Sequence, residues 1–310
     1  RLDGKTVLIT GANSGIGKET AIDLAKRGEW RPSPIISLTR LSLLPVFTIP
    51  PCPGFDPSGA KVIMACRDMD RAQAAVKDVI ESSGNQNVVC MKLDLAEGKS
   101  IREFAEAVNQ GEPRLDILIN NAGVMMCPYG KTADGFEMQI GINHFGHFLL
   151  THLLLDLIKR SAPARIVTVS SMAHSWSSIN LDDINSEKSY DKKKAYSQSK
   201  LANVLFTRSL AQRLKGTGVT AYSLHPGVVQ TELWRHLGGP EQFFLTIAKP
   251  FTKNSAQGAQ TTIYCAVEPS LEKESGGYYS DCAPASCSAA GRDDVLAQKL
   301  WELSCQLLSV

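Results

Sequence analysis

The stretch that most limits what this chain can fold into is Lys5-Thr6-Val7-Leu8-Ile9-Thr10 with the turn Gly11-Ala12-Asn13-Ser14-Gly15-Ile16-Gly17 behind it. A short apolar run without alternation reads as a strand covered on both faces, the habit of parallel sheets. A helical pattern follows through Arg27. Strand, glycine turn and helix together make a phosphate cradle. The glycines let backbone approach a pyrophosphate, and the helix N-terminus offers unpaired N–H groups at its positive end.

The same alternation continues down the chain. Strands are expected at Lys61–Ala65, Val88–Lys92, Leu115–Ile119, Arg165–Val169 and Thr220–Leu224. Helices are expected at Met69–Ser82, Lys99–Asn109, Asn143–Arg160 and from Tyr196 onward, the last with an amphipathic run over Leu201–Leu214. Strands alternating with helices predict an α/β protein: one doubly wound parallel sheet with helices on both faces and right-handed crossovers. Ligands of such sheets bind beyond the carboxyl ends of the strands. The small or polar clusters sit there: Cys66-Arg67-Asp68, Leu93-Asp94-Leu95, Asn120-Asn121-Ala122-Gly123, Ser170-Ser171 and His225-Pro226-Gly227. They are expected to converge on one crevice.

One segment breaks the pattern. A helix-to-strand link takes about 2–6 residues, yet Glu29–Gly59 adds 31, with seven of the fifteen prolines and four charged residues. Three readings compete: a membrane-touching loop over the apolar stretch 35–51, a functional binding loop, or a retained intron. Codon content favours the third. Gly28-Glu29-Trp30 is encodable with the splice donor GTGAGT, Leu38-Thr39 with a branch point, and Ser58-Gly59 with a terminal TCAG. Excision keeps frame and leaves Arg27-Gly28-Ala60-Lys61.

A net charge of +2 without a basic block argues against nucleic acid as a partner. The eight cysteines form no C-x-x-C pair, and no histidine cluster has ligand spacing, so reduced thiols and no metal are expected. Strand-like sequence begins almost at Arg1, so an N-terminal segment is expected to precede it, and no uninterrupted apolar run of membrane-spanning length is present.

Tyr196 and Lys200 are four apart, hence on one helix face. An ammonium beside a phenol is expected to lower the phenol pKa and give a proton donor that works near neutrality. Alone, such a pair is weak evidence. Together, Thr10-Gly11-x-x-x-Gly15-Ile16-Gly17, Asn120-Asn121-Ala122-Gly123, Ser171, Tyr196-x-x-x-Lys200 and His225-Pro226-Gly227 resemble the short-chain dehydrogenases/reductases, with their Rossmann-type fold. Finer stretches, Asn121–Tyr129, Lys131–Glu137, Asn143–Thr151, Ser199–Thr207 and Gly258–Thr261, resemble the retinol dehydrogenases of the eleven-to-fourteen subgroup.

The resemblance implies roles. Tyr196 is the general acid/base, Lys200 lowers its pKa and holds the nicotinamide ribose, Ser171 holds the substrate oxygen, and Asn143 anchors a proton-relaying water. It implies cofactor contacts from Gly11, Asn13, Ser14, Gly15, Ile16, Gly17, Asp94, Leu95, Asn121, Ala122, Gly123, Tyr196, Lys200, Pro226, Gly227, Val229 and Thr231. Ser170 is expected to face away from the site, and His144 and His147 to be packing or surface residues. At the end of the second strand Arg67 stands where an acidic residue would select a free ribose 2′-OH. A guanidinium suits a 2′-phosphate, so NADP(H) is the expected cofactor, the alternative being a solvated Arg67 with Asp68 choosing.

Residues 231–260 are expected to form an apolar substrate lid, carrying Trp234, Phe243, Phe244 and Phe251. The expectation is one domain over 1–310, interrupted at 29–59. It would reduce retinal to retinol, and lipid aldehydes as second substrates, on the cytosolic side of the endoplasmic reticulum membrane. The alternatives are a non-catalytic or misfolded product caused by the insert, and a reductase of another apolar carbonyl such as a steroid.

Overall fold

The computed structural model describes residues 1–28, 59–230 and 252–310. Most of the 29–59 insert and most of the 231–260 lid, with Thr231, therefore lie outside the described residues.

The chain runs β1 (Thr6–Thr10), α1 (Gly15–Lys26), β2 (Lys61–Cys66), α2 (Met69–Ser83), β3 (Val88–Lys92), α3 (Gly98–Gly111) and β4 (Ile117–Asn120). A short α4 (Met138–Ile140), a π-helix (Gly141–Gly146) and α5 (His147–Arg160) follow, then β5 (Ala164–Val169), α6 (Lys192–Arg213) and β6 (Val219–His225). α7 (Ser255–Val267), β7 (Tyr278–Ser280), β8 (Ala283–Pro284) and α8 (Asp294–Leu308) complete it. The eight strands form one sheet in the order β3-β2-β1-β4-β5-β6-β7-β8, parallel except for β8 against β7. This is the doubly wound α/β sheet expected, and its direction reverses between β1 and β4, where such sheets bind ligands.

β1 explains the unbroken apolar runs. Successive side chains point to opposite faces. Val7 and Ile9 enter a core with Leu24, Ala72, Val79 and Ile263 of α1, α2 and α7. Leu8 enters the other core, with Phe104, Leu150, Leu154 and Phe206 of α3, α5 and α6. Both faces are dry, so both sets of positions must be apolar.

Four expectations need correction. The helix bearing Tyr196 begins at Lys192, where Asp191 caps it by accepting from Lys193 N and Lys194 N at 2.9 Å each. That helix is buried nearly all round rather than amphipathic, because α8 covers its outer side. Leu201 and Leu205 pack with Ala297 and Leu300, and Phe206 stacks on Trp301 at 5.9 Å between ring centroids. Asn143 does not begin a helix: it lies inside the π-helix, within a helical run that starts at Met138. Residues 255–260 belong to α7, packed against α1 with Ala259 fully buried, and not to a lid.

Candidate active site

The strand ends open into one cavity of about 890 Å³. Its first part is the glycine turn. Gly11 has φ +65°, and a Cβ there would sit 2.9 Å from the Cα of Ala122, so no side chain is tolerated. Ser14 caps α1 in extended conformation with no side-chain bond to the helix, and the first turn carries no acidic residue. The helix N–H groups and dipole are left for an anion. Asn13, Ser14, Gly15, Ile16 and Gly17 all line the cavity. Thr10 locks this turn to β4: its hydroxyl accepts from the backbone N–H of Asn121 and Ala122, both at 2.9 Å.

The end of β2 supplies the next wall. Cys66 is buried and its sulfur is bonded by the backbone N–H groups of Ala12 and Asn13, while burial pushes its thiol up to about 11. Arg67 and Asp68 are exposed and line the cavity. Asp68 is occupied as the cap of α2, accepting from Arg71 N at 3.1 Å. Arg71, missed in the sequence, lines the cavity a turn beyond Arg67. The spacing from a capping Asp68 could have revealed it. Asp94 and Leu95 line the wall from β3, and the Asp94 carboxylate also accepts from Ala96 N at 2.9 Å, closing the local turn.

Beyond β4, β5 and β6 stand Asn121, Ala122, Gly123, Ser171, Tyr196, Lys200, Pro226, Gly227 and Val229, all on the same cavity. Ser171 hydrogen-bonds Tyr196. Ser170 instead turns inward, its hydroxyl donating to Lys200 O at 2.7 Å. Lys200 Nζ donates to Val169 O at 3.1 Å and lies 5.8 Å from the centroid of the Tyr196 ring. Asn143 does not line the cavity. It sits behind Gly123, fully buried, accepting from Val124 N at 2.9 Å and donating to Val124 O and Ser199 Oγ at 3.0 and 2.9 Å.

The electrostatics correct one expectation. Tyr196 is not lowered in this protein alone: burial pushes its phenol up to about 12, with the Ser171 hydrogen bond acting the other way. Burial also pulls Lys200 down to about 8. Desolvation of the phenolate outweighs the Ser171 hydrogen bond, and the neighbouring ammonium is itself costly to charge. His144 and His147 are buried and neutral, brought down to about 3 and about 4 by desolvation.

The remaining wall is apolar. Met125, Met126, Met172, Trp176 and Val228 line it, and the last three are partly open to solvent. Met172, Trp176 and Val228 were not picked out in the sequence, and Met125 and Met126 stood out only within the Asn121–Tyr129 stretch, because single apolar residues in loops give no periodic signal. Met126 adopts φ +50° and is held there by Gln139, whose side-chain oxygen accepts from Met126 N at 2.7 Å. Among the described residues no His, Cys, Asp or Glu group is arranged to hold a metal.

A phosphate cradle, a guanidinium at the adenosine side and a Ser–Tyr–Lys set opposite define a site for a dinucleotide and a small carbonyl or alcohol. The comparisons agree. The family model described as short chain dehydrogenase matches residues 52–241. Human retinol dehydrogenase 11 is 48% identical over 310 residues, covering all of this chain and 87% of the relative. Human retinol dehydrogenase 12 is also 48% identical, covering all of this chain and 88% of its own length. A solved structure titled as a putative uncharacterized protein from Mycobacterium paratuberculosis is 36% identical, with TM-score 0.73, covering 100% of this chain and 95% of that one. The chain belongs to the short-chain dehydrogenase family, on the branch of the retinol dehydrogenases, and is an oxidoreductase of CH–OH groups using a nicotinamide dinucleotide.

Proposed function

We propose that this protein is an NADPH-dependent retinal reductase that also accepts lipid aldehydes, acting through Ser171, Tyr196, Lys200 and Asn143 within a single dinucleotide-binding domain. The observation that carries the reading is the cavity itself, which joins the Ser171–Tyr196 hydrogen bond and Lys200 to an apolar wall of Met125, Met126, Met172, Trp176 and Val228. The similarity to retinol dehydrogenases 11 and 12 supports a retinoid as the substrate.

When bound, the reduced nicotinamide supplies the hydride. The protein handles placement and the proton. Ser171 donates to the substrate carbonyl oxygen and holds it against Tyr196 Oη. Tyr196, protonated throughout the neutral range because its phenol stands at about 12, gives its proton to that oxygen as negative charge develops. Lys200, still mostly charged at neutral pH with its ammonium at about 8, stabilises the phenolate left behind. Desolvation, which raises the phenol in the resting enzyme, thus keeps Tyr196 in its donor form. The apolar wall offers an apolar substrate its contact surface.

Preference for NADPH rests on Arg67 and Arg71 on the cavity wall at the end of β2, where Asp68 turns one carboxylate oxygen to the cap of α2. The proposal extends to a cytosol-facing place at the endoplasmic reticulum membrane. Among the described residues no helix is long and apolar enough to cross a bilayer. Fractionation of cells making the protein tests this part: recovery with cytosol rather than with microsomes would end it. The activity is tested by NADPH oxidation with all-trans-retinal, using Tyr196→Phe as the control.

A further inference from the structure

The π-helix leaves one backbone group with an unusual partner. In an α-helix the Asn143 carbonyl would accept from the backbone N–H of residue 147. Here the His147 N–H goes to His144 O. The Asn143 carbonyl receives the His147 ring instead, with Nδ1 at 3.1 Å. The opposite ring nitrogen, Nε2, lies 2.9 Å from Thr10 Oγ1. Both contacts are buried, with His147 1% exposed.

The hydrogen-bond directions follow. A carbonyl only accepts, so Nδ1 carries the proton and donates to Asn143 O. A neutral imidazole then has Nε2 free to accept. Neutrality is enforced by burial and by the nearby Lys200 charge, which together hold the ring at about 4. Thr10 has one hydroxyl proton and two acceptors in reach, Nε2 at 2.9 Å and Ile119 O at 3.4 Å; the shorter contact takes it, while the same oxygen accepts from Asn121 N and Ala122 N. The side chain of Asn143 is fully engaged with Val124 and Ser199. Its main-chain carbonyl is held by the His147 ring.

We propose that His147 is a positioning residue for the reductase: one ring nitrogen fixes the main chain of Asn143, whose side-chain oxygen stands with Lys200 Nζ against Gly123, and the other fixes Thr10 at the end of β1, where the cofactor turn begins, so that the proton-handling and dinucleotide-holding parts share a register. The proposal rests on the catalytic reading above. π-Turns inside helices are often found at functional sites, where they re-aim a group that regular geometry would hide. The two arms can be separated. An asparagine amide occupies roughly the place of Nδ1, and a glutamine amide that of Nε2.

The experiment compares His147→Asn and His147→Gln in the full chain, measuring kcat and KM for NADPH with all-trans-retinal, NADPH affinity by fluorescence, and Tm. The Asn variant is expected to keep kcat within about threefold and to bind NADPH several-fold more weakly. The Gln variant is expected to lose kcat by about tenfold or more, since small misplacements of catalytic groups cost about that much or more, with NADPH affinity near wild type. Equal losses in the two variants that track Tm, or two unfolded variants, would reduce His147 to packing and overturn the proposal, as would wild-type kinetics in both. If the wild-type chain does not reduce retinal, the substrate reading fails by itself. NADPH affinity in the two variants then still decides the Thr10 arm, equal affinities overturning it.

Discussion

Lys200 shows what the site costs at the scale of one residue. A buried ammonium is unfavourable, and its pKa of about 8 measures that directly. Because its pKa lies below the value of an unfolded lysine, the penalty is complete below about pH 8. It disappears as pH rises from there towards the free lysine value of about 10.4, where the unfolded chain still binds a proton that the folded one has released. Lys200→Met should therefore abolish turnover yet leave the protein as stable as wild type or stabler at pH 7, by on the order of 1–3 kcal/mol. The gain should shrink as pH rises through that window. Thermal unfolding of both proteins between pH 7 and 10 checks it, and a variant less stable at pH 7 than at pH 10, relative to wild type, would contradict it. The same pKa predicts that kcat/KM for reduction is flat near neutrality and falls above about pH 8, well before Tyr196 ionises. At this scale the sequence was half informative. Spacing along a helix brought Tyr196 and Lys200 to one face, but burial, which reverses the expected direction of the Tyr196 shift, depends on what packs around them.

Elements set which charges face the cofactor. β2 ends in Cys66 and α2 starts with Asp68 as its cap, which turns one oxygen of that carboxylate to the backbone N–H of Arg71 and leaves Arg67 at the cavity edge. Charge-assisted hydrogen bonds contribute about 1.5–3 kcal/mol each, so Arg67→Asp should change the NADPH-to-NADH ratio of kcat/KM by about tenfold to a hundredfold towards NADH. An unchanged ratio would free Arg67 of the assignment and direct attention to Arg71. The strands were legible because both faces of β1, β2 and β4 are dry and leave no alternation to misread. The helix around Asn143 was misread for a local reason. Gly141 and Gly146 flank a run whose apolar spacing suits either a regular or a widened turn, and the π geometry is decided by contacts such as His147 with Thr10, far away in sequence. Likewise α6 lost its expected polar face because α8, unread in the sequence, covers it.

On the scale of the whole molecule, the two ends of the 29–58 segment are drawn together. The Asn85 amide donates to Ala25 O at 3.0 Å and to Ala60 O at 2.9 Å, so one buried side chain bonds both flanks. Arg27 O accepts from Leu2 N, and Gly59 N donates to Asp3, which further ties these flanks to the chain start. These flanks lie at the amino ends of the strands, opposite the cavity. Loop closure entropy grows slowly with length, so the fold can hold the segment, and removing it should leave the site intact. Deleting 29–59 is predicted to raise soluble yield with an unchanged substrate profile; loss of activity would mean the segment takes part in function. Transcript sequencing tests its origin as retained intron, an origin that its presence in nearly all mature message would exclude. The doubly wound parallel sheet and the convergence of its carboxyl ends followed from the alternating pattern; β7 and β8 did not, and the apolar wall of Met125, Met172 and Trp176 had no periodic signature and emerged only from the assembled loops. The central claim, that this cavity reduces a retinoid carbonyl through Tyr196, is tested most directly by NADPH oxidation with all-trans-retinal in wild type and Tyr196→Phe. The account predicts turnover in the wild type, a loss of about a hundredfold or more in the variant, and NADPH binding retained in both. Turnover that survives in Tyr196→Phe would contradict it.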